Sequence, residues 1–171
     1  DLTPASVDVK ACWLTHMSPP GRTCWGGEAP VTCDADQHTI STEGWPTTEG
    51  EISFTYTNMK RTWSGESIFI ADGGRFQIKA VNDGRIRVFL NGVPTTLPGN
   101  PAWRTLDQVQ HIRAVLSAGS LEVFVNGVSV GSVETGPIEY SGTARIGTTG
   151  TLWADGSIRS LTVRSFEEVS P

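Results

Sequence analysis

Residues 84–93 read GRIRVFLNGV, and residues 119–128 read GSLEVFVNGV. Each decapeptide runs from a glycine through alternating apolar and polar positions into Asn-Gly. Alternation with period two marks a half-buried strand, because successive side chains of a strand point to opposite faces. Asn-Gly is the strongest short signal for a two-residue hairpin. Both turn positions need positive φ, which Gly adopts freely and Asn tolerates. Asn91-Gly92 and Asn126-Gly127 therefore reverse two hairpins. A further tight-turn signal precedes each, Asp83-Gly84 in one copy and Ala118-Gly119 in the other. The spacing predicts a three-strand antiparallel meander over about 75–97 and another over about 110–133. Two copies are too few to stack as a solenoid, so one meander is used twice within a single sandwich.

The alternation also assigns faces. Ile86, Val88 and Leu90 point to the core, as do Leu121, Val123 and Val125. Arg85, Arg87 and Phe89 point the other way, as do Ser120, Glu122 and Phe124. A polar face with one Phe at the same place in each copy admits two readings. The ring is covered by another loop or strand, or it is exposed on a ligand-binding face. The same alternation recurs over 51–57, 67–70, 75–79 and 157–164, in runs rich in Val, Ile, Thr and Phe. No window of eleven or more residues carries a helical apolar period. The chain is predicted to be all-β, with about a dozen strands and few or no helices. His111 reads as a hydrogen-bonded structural histidine at a core-facing or pleat position of its strand.

With 171 residues the chain is long enough for one domain with a sizeable core. A net charge of -5 argues against nucleic acid or an acidic membrane surface as partner. No run approaches the roughly 20 apolar residues of a membrane helix, so no membrane insertion is expected. Residues 1–48 differ from the rest: they hold all three cysteines and three of the six tryptophans. They read as an arm that packs on, or docks, a sandwich formed by residues 49–171. Within the arm, Val7–Trp13 suits an edge strand and residues 15–37 suit a long loop. Cys24 and Cys33 enclose CWGGEAPVTC and suit a disulfide staple, with Cys12–Cys33 or no bridge as alternatives. A zinc site using these cysteines with His16 or His38 lacks the tight C-x-x-C spacing of usual zinc motifs. A bridge implies an oxidising compartment or the outside of a particle.

Residues 110–131, QHIRAVLSAGSLEVFVNGVSVG, resemble the central signature of the laminin-G-like and concanavalin A-like lectin domains. Ala144–Gly147 (ARIG) and then Asp155–Val163 (DGSIRSLTV) are similar to that family's ending. The clear likeness covers about 105–166, and the strand pattern extends it back to about residue 50. The resemblance implies a jelly-roll sandwich of two curved antiparallel sheets. The family includes lectins, adhesion modules, carbohydrate-binding modules, phage tail and capsid appendages, and true glycosidases and lyases. The fold alone therefore selects no function.

Glycoside hydrolysis normally needs two carboxylates about 5–10 Å apart. Glu51, Glu66, Asp72, Glu122 and Asp155 stand singly on their segments. There is no G-x-S-x-G elbow, no H-E-x-x-H and no glycine-rich phosphate loop. The sequence thus reads as non-catalytic. Calcium is the one cofactor the resemblance brings in. Its candidate ligands are Asp72, Asp83 and Asp155, each beside a glycine, although Asp-Gly is also ordinary turn chemistry. The family's acidic position in the second hairpin turn is Asn126 here.

Sugars are held by aromatic faces, with Asn, Asp and Arg bonding the hydroxyls. Trp63, Trp103 and Trp153 are loop tryptophans near polar partners: Arg61, Asn100, Arg104 and Asp155. The resemblance also offers Trp103 a buried structural role. The leading expectation is a lectin-like, carbohydrate-binding adhesion module, extracellular or on a particle surface, with a glycan or cell-surface polysaccharide as partner. The alternative is a structural domain, such as a phage virion appendage, in contact with other subunits of a larger assembly. A glycosidase or lyase ranks third.

Overall fold

A computed structural model of the chain describes residues 5–9, 13–14, 23–26, 29–32, 39–58, 67–81, 84–99, 109–147 and 156–166. Before residue 33 the description is of the backbone. In chain order the strands are β1 (Ala5–Val9), β2 (Trp13–Leu14), β3 (Thr23–Gly26), β4 (Ala29–Thr32), β5 (Thr39–Ser41), β6 (Gly50–Asn58), β7 (Ser67–Asp72) and β8 (Phe76–Ala80). They continue with β9 (Ile86–Leu90), β10 (Val93–Thr96), β11 (Val109–Ser117), β12 (Ser120–Val125), β13 (Val128–Glu134), β14 (Thr143–Ile146) and β15 (Gly156–Ser165). No helix among the described residues is long and apolar enough to cross a membrane.

Two antiparallel sheets face each other. One has nine strands in the order β13-β12-β11-β6-β15-β2-β3-β4, with β1 also on β15; the other has six in the order β10-β9-β8-β7-β14-β5. The two meanders that carry the repeated decapeptide account for six of the fifteen strands. The meander β8-β9-β10 ends one edge of the six-stranded sheet, and β11-β12-β13 ends one edge of the nine-stranded sheet. Both Asn-Gly turns take the predicted conformation: φ is 51° at Asn91, 85° at Gly92, 52° at Asn126 and 80° at Gly127. The predicted core faces are buried, with Ile86, Val88, Leu121, Val123 and Val125 at 0–1% exposure.

The outward rings of the two copies share one fate. The Lys79 ammonium stands 4.9 Å from the Phe89 centroid, and the Arg113 guanidinium stands 5.7 Å from that of Phe124. Arg113 is the direct cross-strand partner of Phe124, and Lys79 lies on the strand next to Phe89. Each half-buried ring thus carries a cation from a neighbouring strand, a contact worth about 0.5–1 kcal/mol at an exposed site.

Bulges place residues that simple alternation would misplace. The β7–β8 register shifts between Ile68 and Ile70, so Phe69 and Ile70 both turn inward. Phe69 then reaches across the sandwich to β6, with ring centroids 5.4 Å from Phe54 and 4.8 Å from Tyr56. A second bulge lies on β13, where Val130 is buried and Gly131 has a φ of 140°.

Three expectations change. Residues 15–37, expected as a long loop, contain the paired strands β3 and β4. Their runs, TCWG and APVT, are too short and too rich in Gly and Pro to show alternation; pairing along β2 organises them. Within the 7–13 segment, β1 and β2 keep one register along β15, but β3 pairs with β2 and covers that part of the edge. His111 is exposed on the outer face, and its neighbour Gln110 is the buried one. The inward set of β11 is Gln110, Ile112, Ala114 and Leu116, which puts His111 outside.

Candidate functional site: a polar cleft at the end of the six-stranded sheet

The outer face of the six-stranded sheet can be followed strand by strand. One row of directly paired residues crosses it: Thr39, Arg145, Ala71, Gln77, Phe89 and Pro94. Toward one end this face is closed over, since Ile68 is fully buried and Lys79 is 7% exposed although both point outward. Toward the other end it opens into a cleft of about 460 Å³ around Ala71, Arg145 and Thr39.

Local sequence builds the walls. β7 ends at Asp72 and reverses through Gly73-Gly74-Arg75 into β8. The Arg75 N–H donates to the Asp72 carbonyl at 3.0 Å, and Gly73 has a φ of 53°, a conformation glycine adopts without strain. The opposite wall is Ser141 and Thr143 at the start of β14. Alternation along β14 sends Ala144 and Ile146 into the core and leaves Thr143 and Arg145 outside. Small Ala71 leaves room beside half-buried Arg145.

Asp72 closes the back of the cleft. It is 2% exposed, and its carboxylate accepts the Ser141 backbone N–H at 2.7 Å and the Ser141 hydroxyl. A buried carboxylate must be met by donors, and Ser141 supplies both. Of the expected calcium ligands, Asp72 is the one among the described residues. Calcium takes six to eight oxygen ligands. Asp72 is instead committed to Ser141, and no group of three or more His, Cys, Asp or Glu side chains suited to a metal occurs among the described residues. The described residues around Asp72 do not fit a calcium centre.

The segment carrying Ser141 is firmly tied. The Asn91 side chain donates to the Pro137 carbonyl at 3.0 Å and accepts the Glu139 N–H at 2.8 Å. The Tyr140 hydroxyl donates to the Pro46 carbonyl at 2.7 Å, and its ring meets Trp45 and Phe76 edge-on at 5.6 and 5.4 Å. The cleft is therefore preformed. Its rim carries Arg75, 57% exposed, with Nη1 3.4 Å from Glu139 Oε2.

Asp83, Asp155, Arg61, Trp63, Asn100, Trp103, Arg104, Trp153 and Cys33 lie outside the described residues, as does the Cys24 side chain. A hollow of about 210 Å³ by Leu116, Gly119 and Pro137 has no charged group in its lining. On the outer face of the nine-stranded sheet, described charged side chains meet one another or a hydroxyl. Glu51 meets Arg113 Nε at 2.9 Å and Arg164 Nη1 at 4.0 Å, while Glu122 accepts from the Ser129 hydroxyl at 2.7 Å.

Of the cleft residues, the sequence reading named Asp72 alone, and for another role. Thr39, Arg75, Ser141, Thr143 and Arg145 come from three separate segments. The one local signal was Asp72-Gly73-Gly74-Arg75, a glycine turn with an arginine attached.

A family model described as concanavalin A-like lectin/glucanases superfamily, of laminin-G type, matches residues 35–166. No curated protein matches the chain significantly. A heptameric SAP-like pentraxin from Limulus polyphemus is similar in structure, at 16% identity and a TM-score of 0.57, over 91% of this chain and 77% of its own. Sheep galectin-11, in complex with glycerol, is similar at 10% identity and 0.52, over 73% of this chain and 96% of its own. The carbohydrate-binding module of the Ruminococcus gnavus IT-sialidase, bound to α2,3-sialyllactose, is similar at 10% identity and 0.52, over 99% and 94%. At these identities the likeness is one of fold.

Proposed function

The chain belongs to the concanavalin A-like lectin/glucanase superfamily, and on that premise we propose that it is a non-catalytic, lectin-like carbohydrate-recognition module that works outside the cell or on a particle surface. The observation that carries the proposal is the open, preformed cleft beside Gly73-Gly74. Sugars present hydroxyl groups in fixed directions, and rigid donors and acceptors bind them with little loss of side-chain entropy. The hydroxyls of Thr39 and Thr143 and the guanidiniums of Arg75 and Arg145 supply donors and acceptors around an Ala71 floor. The non-catalytic part has its own support. Glu51 and Glu122 share a row on the outer face of the nine-stranded sheet, but Val115 stands between them and each is engaged by other side chains.

The test is a glycan array probed with the folded domain, in calcium and again in EDTA, beside Gly74→Gln. A Cβ at Gly74 meets nothing within 4 Å, so that substitution leaves the fold intact while filling the cleft mouth. Reproducible binding that Gly74→Gln weakens is the expected result. Loss in Trp63→Ala or Trp153→Ala, with Gly74→Gln unaffected, would move the site to those tryptophans. A blank array from a folded sample would overturn carbohydrate recognition and leave an assembly role in its place.

A further inference from the structure

We infer that the cleft selects acidic saccharides, those whose ring carries a carboxylate or a sulfate; the inference rests on the carbohydrate reading of the same site. The chain as a whole is acidic, with a net charge of -5. The cleft lining carries two cations, Arg75 and Arg145, against the buried carboxylate of Asp72, with Glu139 at the rim beside Arg75. Asp72 is buried and spends its carboxylate on Ser141, so it does not face a ligand as an open acid. Arg145 rises from the middle of the floor, paired along the sheet with Thr39 and Ala71, so its position is set by the strand. Arg75 meets Glu139 at 3.4 Å with both side chains mostly exposed, a weak pair that a ligand anion can replace. Guanidinium presents a planar fork of donors that matches the paired oxygens of a carboxylate or sulfate. Gly74 needs no glycine-specific conformation and has open space above its Cα, yet it lies at the cleft mouth, where any side chain would obstruct a ring.

The experiment is calorimetric titration of the whole chain with trigalacturonate, sulfated lactose and neutral lactose at low and high salt. The proteins are the native chain, Arg75→Gln, Arg145→Gln, Gly74→Gln and Gly74→Glu, each with its melting curve. Acidic probes should bind at least about tenfold more tightly than lactose, with affinity falling as salt rises. Each arginine substitution should weaken the acidic probe by roughly tenfold, the scale of one lost charge-assisted contact. Gly74→Glu should weaken it more than Gly74→Gln, which adds the same bulk without charge. Exposed Arg75 keeps the test open if Arg145→Gln does not fold. Binding of only the carboxylate or only the sulfate probe would support the inference and identify the anion. Lactose binding as tightly as the acidic probes, or arginine variants without effect, would overturn acid selectivity and leave carbohydrate recognition standing. No binding by any saccharide on this titration and on the array would overturn both.

Discussion

Asn126 does four jobs in one turn. It adopts a φ of 52°, its N–H donates to the His111 carbonyl at 2.7 Å, its Oδ1 accepts the His111 N–H at 2.8 Å, and its Nδ2 donates to Gln110 Oε1. Asn91, the matching residue of the first copy, clasps the 137–139 segment instead. The turn conformation was legible from Asn-Gly alone. The partners were not, because Pro137 is 46 residues from Asn91 and nothing local marks it. Substitutions separate backbone from side chain. Asn126→Gly keeps the positive φ and loses the side-chain bonds, while Asn126→Ala loses both. We expect Asn126→Ala to cost about 1–3 kcal/mol and Asn126→Gly to cost less, read from urea unfolding midpoints. Equal costs would assign the whole effect to the side-chain bonds.

The elements follow from alternation wherever it runs unbroken, as in β9, β11 and β12. It breaks at bulges, where one extra residue reverses the faces beyond it. Phe69 and Val130 are both buried by bulges that no composition signal announced. The β13 bulge is also an anchor, since the Gly99 N–H donates to the Val130 carbonyl at 2.8 Å. The approach is close: a Cβ at Gly99 would lie 2.5 Å from the Val130 Cα, and one at Gly131 would lie 2.8 Å from Pro98 Cδ. The first of these contacts is with backbone, so something must shift. Gly99→Ala should therefore destabilise the chain by about 1–3 kcal/mol, with an unchanged denaturant slope. A midpoint equal to that of the native chain would mean that the Leu97–Gly99 segment does not hold β13. The short strands β3 and β4 were illegible for another reason: four residues with Gly or Pro among them are too few to show a period.

At the scale of the molecule, the repeated decapeptide predicted a sandwich and did not say that the copies would end different sheets. That follows from the chain passing from β10, in the six-stranded sheet, to β11, in the nine-stranded one; residues 135–142 then carry it back from β13 to β14. The return crossing brings Ser141 and Thr143 to Asp72 and builds the cleft. The sequence drew attention to loop tryptophans because aromatic residues are conspicuous in a sequence. A cleft made of Thr, Ser, Gly and Arg from distant segments is not.

The central claim is that this cleft, on the outer face of the six-stranded sheet, is where a glycan binds. The most direct test is an amide-resolved NMR titration with the strongest saccharide from the array. Saturating shift changes at Gly73, Gly74, Arg75, Thr143 and Arg145, with Ser53, Thr55 and Arg113 of the opposite sheet unmoved, are predicted. Shifts confined to the opposite sheet or to the tryptophan loops, with Gly73 and Gly74 unmoved at saturation, would contradict it.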